Sequence, residues 1–454
     1  MQEGISRRKF LTTAGAGLSA IVAAPAIAAR PLGASDKIVL AAIGVGGRSS
    51  TLISGFASRS DVHFATLCDV DPGRGGDMMK LLTEKQGAAP QRVQEMRRVL
   101  DDKSIDAVVI GTPDHWHGPA SIFACQAGKH VYVEKPPSHN VWEGRKMVEA
   151  ARRYKRVVQV GTQNRSAPYA QKALEYIQKG ELGKIHLCKV YNLKSGGPFR
   201  AEGESAAPPG VDYDAWLGPA PKRAFSRSHF HGSWHAWWAY SGGDLADDGI
   251  HQLDLARWLC GKESPRSVVA TGGKLAFPDS DAEVPDTQLV QYDFGDLLMT
   301  FEQTGWAPYM DKIAGDIRNG AGSPYWPQCA TRIELYGTKG LMLFGRHGGS
   351  WQAFHKSKAQ SRQGELVAQE LGRFPDAEHQ ADFLDAIRHN RRSNADVEEG
   401  HRSATLVHLA NISTRLGGRR LEFDGKSETI VGDAEAAAFL KREYRAPYVV
   451  PEIV

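Results

Sequence analysis

The chain has 454 residues, 24% of them charged and 41% hydrophobic, with 56 basic against 52 acidic side chains and a formal charge of +4. That length holds two or three domains of roughly 100–200 residues with ample core, which excludes a disordered chain or a disulfide-stapled miniprotein. The two signs of charge are interspersed throughout, so nucleic acid is not an expected partner.

Residues 1–29 read as a twin-arginine signal peptide. Arg7 and Arg8 precede an uncharged, Ala- and Gly-rich stretch from Leu11 to Ala29, and Ala26-Ile27-Ala28 is a small-x-small cleavage site. The expected destination is the periplasm or another exported compartment, reached through the twin-arginine export machinery. The stretch is too weakly apolar to hold a membrane well, and no other segment nears the ~18 uninterrupted apolar residues of a span. Loss of residues 1–28 leaves a mature charge of +2. Cys68, Cys125, Cys188, Cys260 and Cys329 are widely spaced and odd in number. They make a poor disulfide framework and a good set of small buried hydrophobes.

From Lys37 strands alternate with helical sequence: Ile38–Ile43, Val62–Cys68, Ala107–Ile110, Val131–Val133 and Val157–Val160. Such alternation predicts a parallel, doubly wound sheet, a Rossmann-type dinucleotide-binding domain over 36–160. After about Gly161 the texture changes. A helix (Ala170–Lys179) leads to a strand (Ile185–Tyr191), and Lys194–Gly210 is a Gly/Pro/Ser-rich loop. Alternating strands follow at Ser267–Leu275, Asp286–Asp293, Leu297–Thr304, Ala330–Tyr336, Met342–Gly345 and Trp351–His355, then helices at His379–His389 and His401–Leu416. These predict an α/β domain over 161–430 with a large open, mainly antiparallel sheet, and a tail over 431–454.

Gly44-Val45-Gly46-Gly47-Arg48-Ser49 follows the first strand and opens a helix. A tight glycine turn there lets backbone amides approach a pyrophosphate at a helix N-terminus. Ser49 stands where the third glycine of G-x-G-x-x-G belongs, and is small enough for close helix–strand packing. Asp69 ends the second strand, where an acid accepts hydrogen bonds from ribose hydroxyls and repels a 2′-phosphate. NAD is therefore expected ahead of NADP, although Asp71, Arg48 and Arg74 blur the preference.

Two further segments, Glu134-Lys135-Pro136 and Gly242-Gly243-Asp244-Leu245-Ala246-Asp247-Asp248-Gly249-Ile250-His251-Gln252-Leu253-Asp254, complete a pattern. Taken with the glycines and Asp69, the chain resembles the glucose–fructose oxidoreductase, inositol dehydrogenase and rhizopine-catabolism (Gfo/Idh/MocA) family over nearly all of 36–430, its exported branch above all. The resemblance implies a Rossmann domain followed by an α/β domain used for homo-oligomerisation, a nicotinamide cofactor, and a sugar or polyol substrate. It sets Lys135, Asp247 and His251 at catalytic positions. It further implies cofactor contacts from Glu134 and Lys135, from Thr112, Pro113 and His117 in the loop that passes the ribose, and from Gln163, Asn164 and Arg165 beside the nicotinamide. Export into a compartment without a nucleotide pool makes tight cofactor binding the expectation.

Oxidising a secondary alcohol needs a base for the hydroxyl proton while hydride leaves the same carbon. His251 suits that role, and Asp247 four residues earlier would share its helix face and orient it. Lys135 can donate to the same oxygen as charge develops. The plainer reading of Asp244, Asp247 and Asp248 is helix capping, with His251 a structural histidine. Trp234, Trp237, Trp238 and Tyr240, with His229, His231 and His235, are either sugar-ring contacts or a buried aromatic hinge. No metal is expected, since His115, His117, His229 and His231 lack a carboxylate or thiol at ligand spacing. Three functions remain open: an NAD(P)-dependent oxidoreductase, a redox-neutral glycoside-cleaving enzyme with retained NAD, and a non-catalytic carbohydrate-binding descendant.

Overall fold

The computed structural model describes residues 37–310, 315–347, 349–357 and 364–454. The expected signal peptide falls outside them. Strands β1 (Ile38–Ile43), β2 (Val62–Cys68), β3 (Gln91–Val93), β4 (Ala107–Ile110), β5 (His130–Val133) and β6 (Val158–Val160) form a parallel sheet in the order β3-β2-β1-β4-β5-β6. Their residues are almost all buried, because helices cover both faces, which is why these strands read as apolar runs. β3 breaks that rule. Gln91 and Arg92 are exposed at the sheet edge, and no apolar run announces it.

The second sheet has ten strands among the described residues: β7 (Ile185–Leu193), β8 (Ser267–Gly273), β9 (Thr287–Asp293), β10 (Leu298–Thr304), β11 (Arg332–Gly337), β12 (Gly340–Gly345), β13 (Gly349–Lys356), β14 (Gly364–Gly372), β15 (Leu421–Asp424) and β16 (Thr429–Ile430). Their order is β14-β13-β12-β11-β7-β10-β9-β8-β15-β16, and only β7 with β10 pair in parallel. Helices Pro168–Gln178, Ile250–Leu259 and Val397–Arg415 cover one face and bury a core that includes Leu253, Tyr292, Phe301 and Phe344. Leu289 and Leu298 stand exposed on the other face. Four of the five cysteines are buried and Cys260 is half-buried.

The two halves are tied by more than one crossing of the chain. Helix Asp376–His389 returns to the first domain, where Phe383 packs among Phe56 and Tyr132. The segment after residue 440 does the same on the opposite face. Val450 and Val454 join the first domain's core, and Arg442 reaches the fully buried Glu143 at 2.6 Å. Glu143 also accepts from the Tyr444 hydroxyl (2.8 Å) and the His139 amide (3.0 Å). A buried carboxylate left without its cation is costly. We therefore expect Arg442→Met to destabilise the protein by about 3–5 kcal/mol in chemical denaturation, with Lys441→Met, on an exposed pair with Glu452, close to neutral.

Candidate active site

The site forms where the parallel sheet's strand order reverses, at the carboxyl ends of β1 and β4, the usual crevice for a ligand in such sheets. The chain leaves β1 through Gly44 at φ +79°, and a β-carbon there would lie 2.8 Å from the Gly111 carbonyl. Only glycine fits. Ser49 packs its own β-carbon against Gly111 and donates its hydroxyl to the Gly44 carbonyl at 2.5 Å, so a small polar residue serves the third position of the motif. Asp69, at the end of β2, accepts from the Val45 amide at 2.9 Å and the Asp71 amide at 3.0 Å, which fixes the acid loop against the glycine turn.

A cavity of about 560 Å³ opens over this turn, a size proper to a cofactor or small-molecule site. Gly44, Gly46, Gly47, Arg48, Asp69, Thr112, Pro113, His117, Glu134, Lys135 and Asp247 all border it. Their donors suit a dinucleotide. The Thr112 hydroxyl is buried with no hydrogen-bond partner among the described residues, an unmet polar group where a ribose is expected. His117 turns its two ring nitrogens to the carbonyls of Pro136 (2.7 Å) and Thr112 (2.8 Å), so its polar atoms shape this loop and are not free for a ligand. Burial pushes His117 down to about 4. Arg48 bridges Glu134 (3.3 Å) and Asp376 (2.5 Å).

Other expected residues are placed elsewhere. Gln163, Arg165 and His251 are not part of the cavity wall that the described residues form. Gln163 is buried behind it, 3.3 Å from the Tyr132 hydroxyl and 3.4 Å from Glu134. Arg165 is buried in an ion pair with Asp254 at 2.9 Å, and also meets Glu399 at 3.2 Å. A guanidinium so enclosed must be matched by carboxylates, and that requirement fixes its direction.

The reactive-looking centre joins the two halves. Lys135, just past β5, donates to the Asp247 carboxylate at 2.6 Å and to the Asp247 carbonyl at 2.5 Å. Burial opposes the Lys135 charge, but Asp247, Asp114 and Glu134 outweigh it and hold the ammonium above its ordinary value. Burial likewise opposes the Asp247 charge, and Lys135, His235 and Lys194 overcome it, leaving the carboxyl well below the usual range. The pair is fully ionised at neutral pH.

Helical spacing predicts that Asp247 orients His251 from the previous turn, and the structure corrects this. Leu245–Gly249 forms a π-helical turn ahead of helix Ile250–Leu259, which widens the spacing. The Asp247 carboxylate goes to Lys135, and lies 3.6 Å from both His235 and Lys194. His251 sits deeper, 6% exposed, near Arg346, Lys135, Asp248 and His347. Burial and the cations Arg346 and Lys135 push its imidazole well below the ordinary value, so it is neutral.

Two groups on the wall carry little signal in the sequence. His235 donates from Nδ1 to the Gly232 carbonyl at 2.7 Å, which leaves Nε2 facing Asp247. Burial opposes its protonation, yet the negative charges of Asp247, 3.6 Å away, and of Asp114 raise it above the ordinary histidine value. Asp114, from the first turn of helix Asp114–Gln126, is buried and accepts from the Ser241 hydroxyl at 2.9 Å. Its burial raises the carboxyl to about 7. The aromatic run divides. Tyr240 and Phe230 belong to a small core with Trp216 and Phe225, whereas His231, Trp234 and His235 face the cavity. Among the described residues no group of three His, Cys, Asp or Glu side chains is placed to share a metal ion.

Comparison with known proteins agrees with this layout. Residues 38–162 match the sequence profile of an oxidoreductase family, NAD-binding Rossmann fold, and residues 198–305 and 345–450 match that family's C-terminal alpha/beta domain. The chain is 29% identical over 247 residues to scyllo-inositol 2-dehydrogenase (NAD(+)) of Bacillus subtilis, spanning 54% of this chain and 57% of that protein. It is 34% identical over 137 residues to a glycosyl hydrolase family 109 protein of Stenotrophomonas maltophilia, 29% of each. Aldose-aldose oxidoreductase from Caulobacter crescentus, crystallised with glycerol, shares the fold with a TM-score of 0.62 at 19% identity, covering 85% of this chain and 100% of that one.

The Asp114 carboxyl yields a test whose sign is fixed. Its folded value, about 7, lies above the unfolded value near 4, so folding disfavours the anion. The resulting penalty is absent below about pH 4, grows from there to about pH 7, and is full above it. Asp114→Asn should therefore raise the unfolding free energy at about pH 8 by a few kcal/mol, since each tenfold change in acidity is worth about 1.4 kcal/mol. At about pH 4 it should change little. Denaturant titrations at the two pH values measure the difference.

Proposed function

The chain belongs to the Gfo/Idh/MocA oxidoreductase family, and from that membership we propose that it transfers hydride between a nicotinamide dinucleotide and a secondary hydroxyl of a sugar, polyol or glycoside. The observation that carries the reading is the Lys135–Asp247 pair, which brings an ammonium from the nucleotide-binding half and a carboxylate from the other half to one cavity beside the glycine turn. NAD is favoured over NADP by Asp69 at the ribose position. Support for the substrate class comes from the inositol and aldose enzymes that the chain resembles.

When bound, the nicotinamide ring supplies the hydride acceptor. Lys135 donates a hydrogen bond to the substrate oxygen, lowering the cost of its developing charge. Asp247 keeps Lys135 protonated and aimed. His251, neutral and behind that pair, is the proposed acceptor of the hydroxyl proton; since it does not border the cavity, the proton reaches it past Lys135 as hydride leaves the carbon that bears the hydroxyl. Trp234, on the cavity wall, offers an aromatic face to the rest of the sugar ring.

We further propose export through the twin-arginine pathway, with Arg7 and Arg8 as its signal, and self-association through the uncovered face that carries Leu289 and Leu298. Among the described residues no helix is long and apolar enough to cross a membrane.

Purified protein supplied with NAD and a panel of sugars and polyols should form NADH, followed by its absorbance. Lys135→Ala is expected to lower kcat by ~10²-fold or more, and His251→Ala by a similar factor. Full turnover in both variants would remove this mechanism, while loss of turnover in His235→Ala alone would move the proton acceptor to the cavity wall. The similarity to a glycosyl hydrolase family 109 protein favours a second reading, glycoside cleavage with retained NAD. Glycosides cleaved with no net NADH would establish it, and steady NADH release would exclude it.

A further inference from the structure

A second bridge joins the two halves at the acid-loop end of the same cavity, and the oxidation chemistry does not use it. His231 stands in the second half, in the loop between the short helical turns Arg227–His229 and Ser233–Ala236. It adopts φ +47°, a left-handed conformation that residues with a β-carbon seldom take, and Gly232 follows at +110°. The backbone so bent points the imidazole back at the first domain. Its Nε2 lies 2.6 Å from the Asp71 carboxylate, and its Nδ1 lies 2.7 Å from an Arg74 guanidinium nitrogen.

Only one form of the ring satisfies both neighbours. Asp71 accepts and Arg74 donates, so Nε2 carries the proton and Nδ1 is bare. Burial, with Arg74 beside it, outweighs the Asp71 hydrogen bond and keeps the imidazole below its ordinary value, hence in that neutral form. Asp71 is itself held low: against burial, the His231 hydrogen bond, the Gly73 amide and Arg74 favour its anion.

The place of the Arg74 guanidinium gives this bridge its meaning. It lies directly on Gly46, in the space that a β-carbon at that position would take, so a side chain there would have to displace it. Gly46 is the glycine over which a pyrophosphate must pass to reach the helix N-terminus. Arg74, His231 and Gly46 all border the cavity. A planar fork of donors resting on the glycine turn matches a phosphate, and the loop that carries it is anchored because Arg92 donates to the carbonyls of Pro72 and Arg74.

We propose that Arg74 is a phosphate-binding residue for the dinucleotide, and that His231, reaching across from the second half, is the positioning residue that holds it over the glycine turn and slows release of the bound nucleotide. This rests on reading the cavity as a dinucleotide site. It goes beyond that reading in assigning nucleotide retention to a contact between the two halves, made by residues outside the glycine motif and the Lys135–Asp247 pair.

The test uses the full chain and NADH as the probe, with no substrate. NADH fluorescence during a chase with excess NAD gives the dissociation rate, and mass spectrometry of the denatured protein gives the nucleotide retained after gel filtration. Arg74→Ala and His231→Ala are each expected to release NADH at least ~10-fold faster than the parent, a factor worth about 1.4 kcal/mol. Arg74→Lys, which keeps the charge and loses the fork, should fall between. The double variant should be little faster than Arg74→Ala, because His231 acts through Arg74. Circular dichroism of each nucleotide-free variant, melting as the parent does, shows that the fold is kept. Release within about twofold of the parent in both single variants would overturn the proposal and leave the cavity reading intact. Fully additive effects in the double variant would overturn the positioning role of His231. A parent protein that binds neither NADH nor NADPH would instead sink the cavity reading, and this proposal with it.

Discussion

The ion pair between Lys135 and Asp247 constrains everything around it. Each charge is partly withdrawn from water, and the largest compensation for each is the other, 2.6 Å away. One comes from the end of a parallel strand and the other from a helical turn more than a hundred residues later. To make the pair, the second half must lie against the carboxyl ends of β4 and β5, and the cavity over the glycine turn follows from that contact. The neighbouring charges conform to it. Asp244, Asp247 and Asp248 crowd one turn and are offset by Lys194, Lys135 and Arg346. Burial, with Arg346 and Lys135, keeps His251 neutral.

Around that pair the structure repeats one device, a polar contact between a side chain of one half and a charged side chain of the other. Arg442 neutralises Glu143 on the outer face of the first domain, and Arg48 meets Asp376 of the returning helix. His231 meets Asp71 beside the nucleotide turn. A chain whose halves are bridged so repeatedly has few ways to open the cleft without breaking one of these contacts. The slow nucleotide release proposed for the His231–Arg74 contact would be in keeping with such bridging.

Much of the scaffold is legible from residues alone. Strands β1, β2 and β4 fall where their apolar runs put them, because a parallel strand covered on both faces leaves no room for polar side chains. Edge strands β3 and β14, half exposed, carry no such run, so no pattern marks them. Ser49 at the third glycine position is explained by Gly111, which supplies the missing space from the opposite side. The helical spacing of Asp247 and His251 points the wrong way, since four residues share a face in an α-helix but not across a π-turn. His235 and Asp114 lie among other histidines and after a proline, with nothing local to mark them as neighbours of Lys135.

The sequence by itself determined the alternation of buried strands with helices in the first half, the glycine turn and its acid, and the residue types that oxidation of an alcohol requires. Those features are local: they depend on backbone geometry, burial of a single element and side-chain chemistry. Which histidine faces the cavity, where Arg165 turns and what rests on Gly46 were decided by the tertiary structure alone. Each depends on balancing charges that lie far apart along the chain, and only the packed molecule brings those charges within reach of one another.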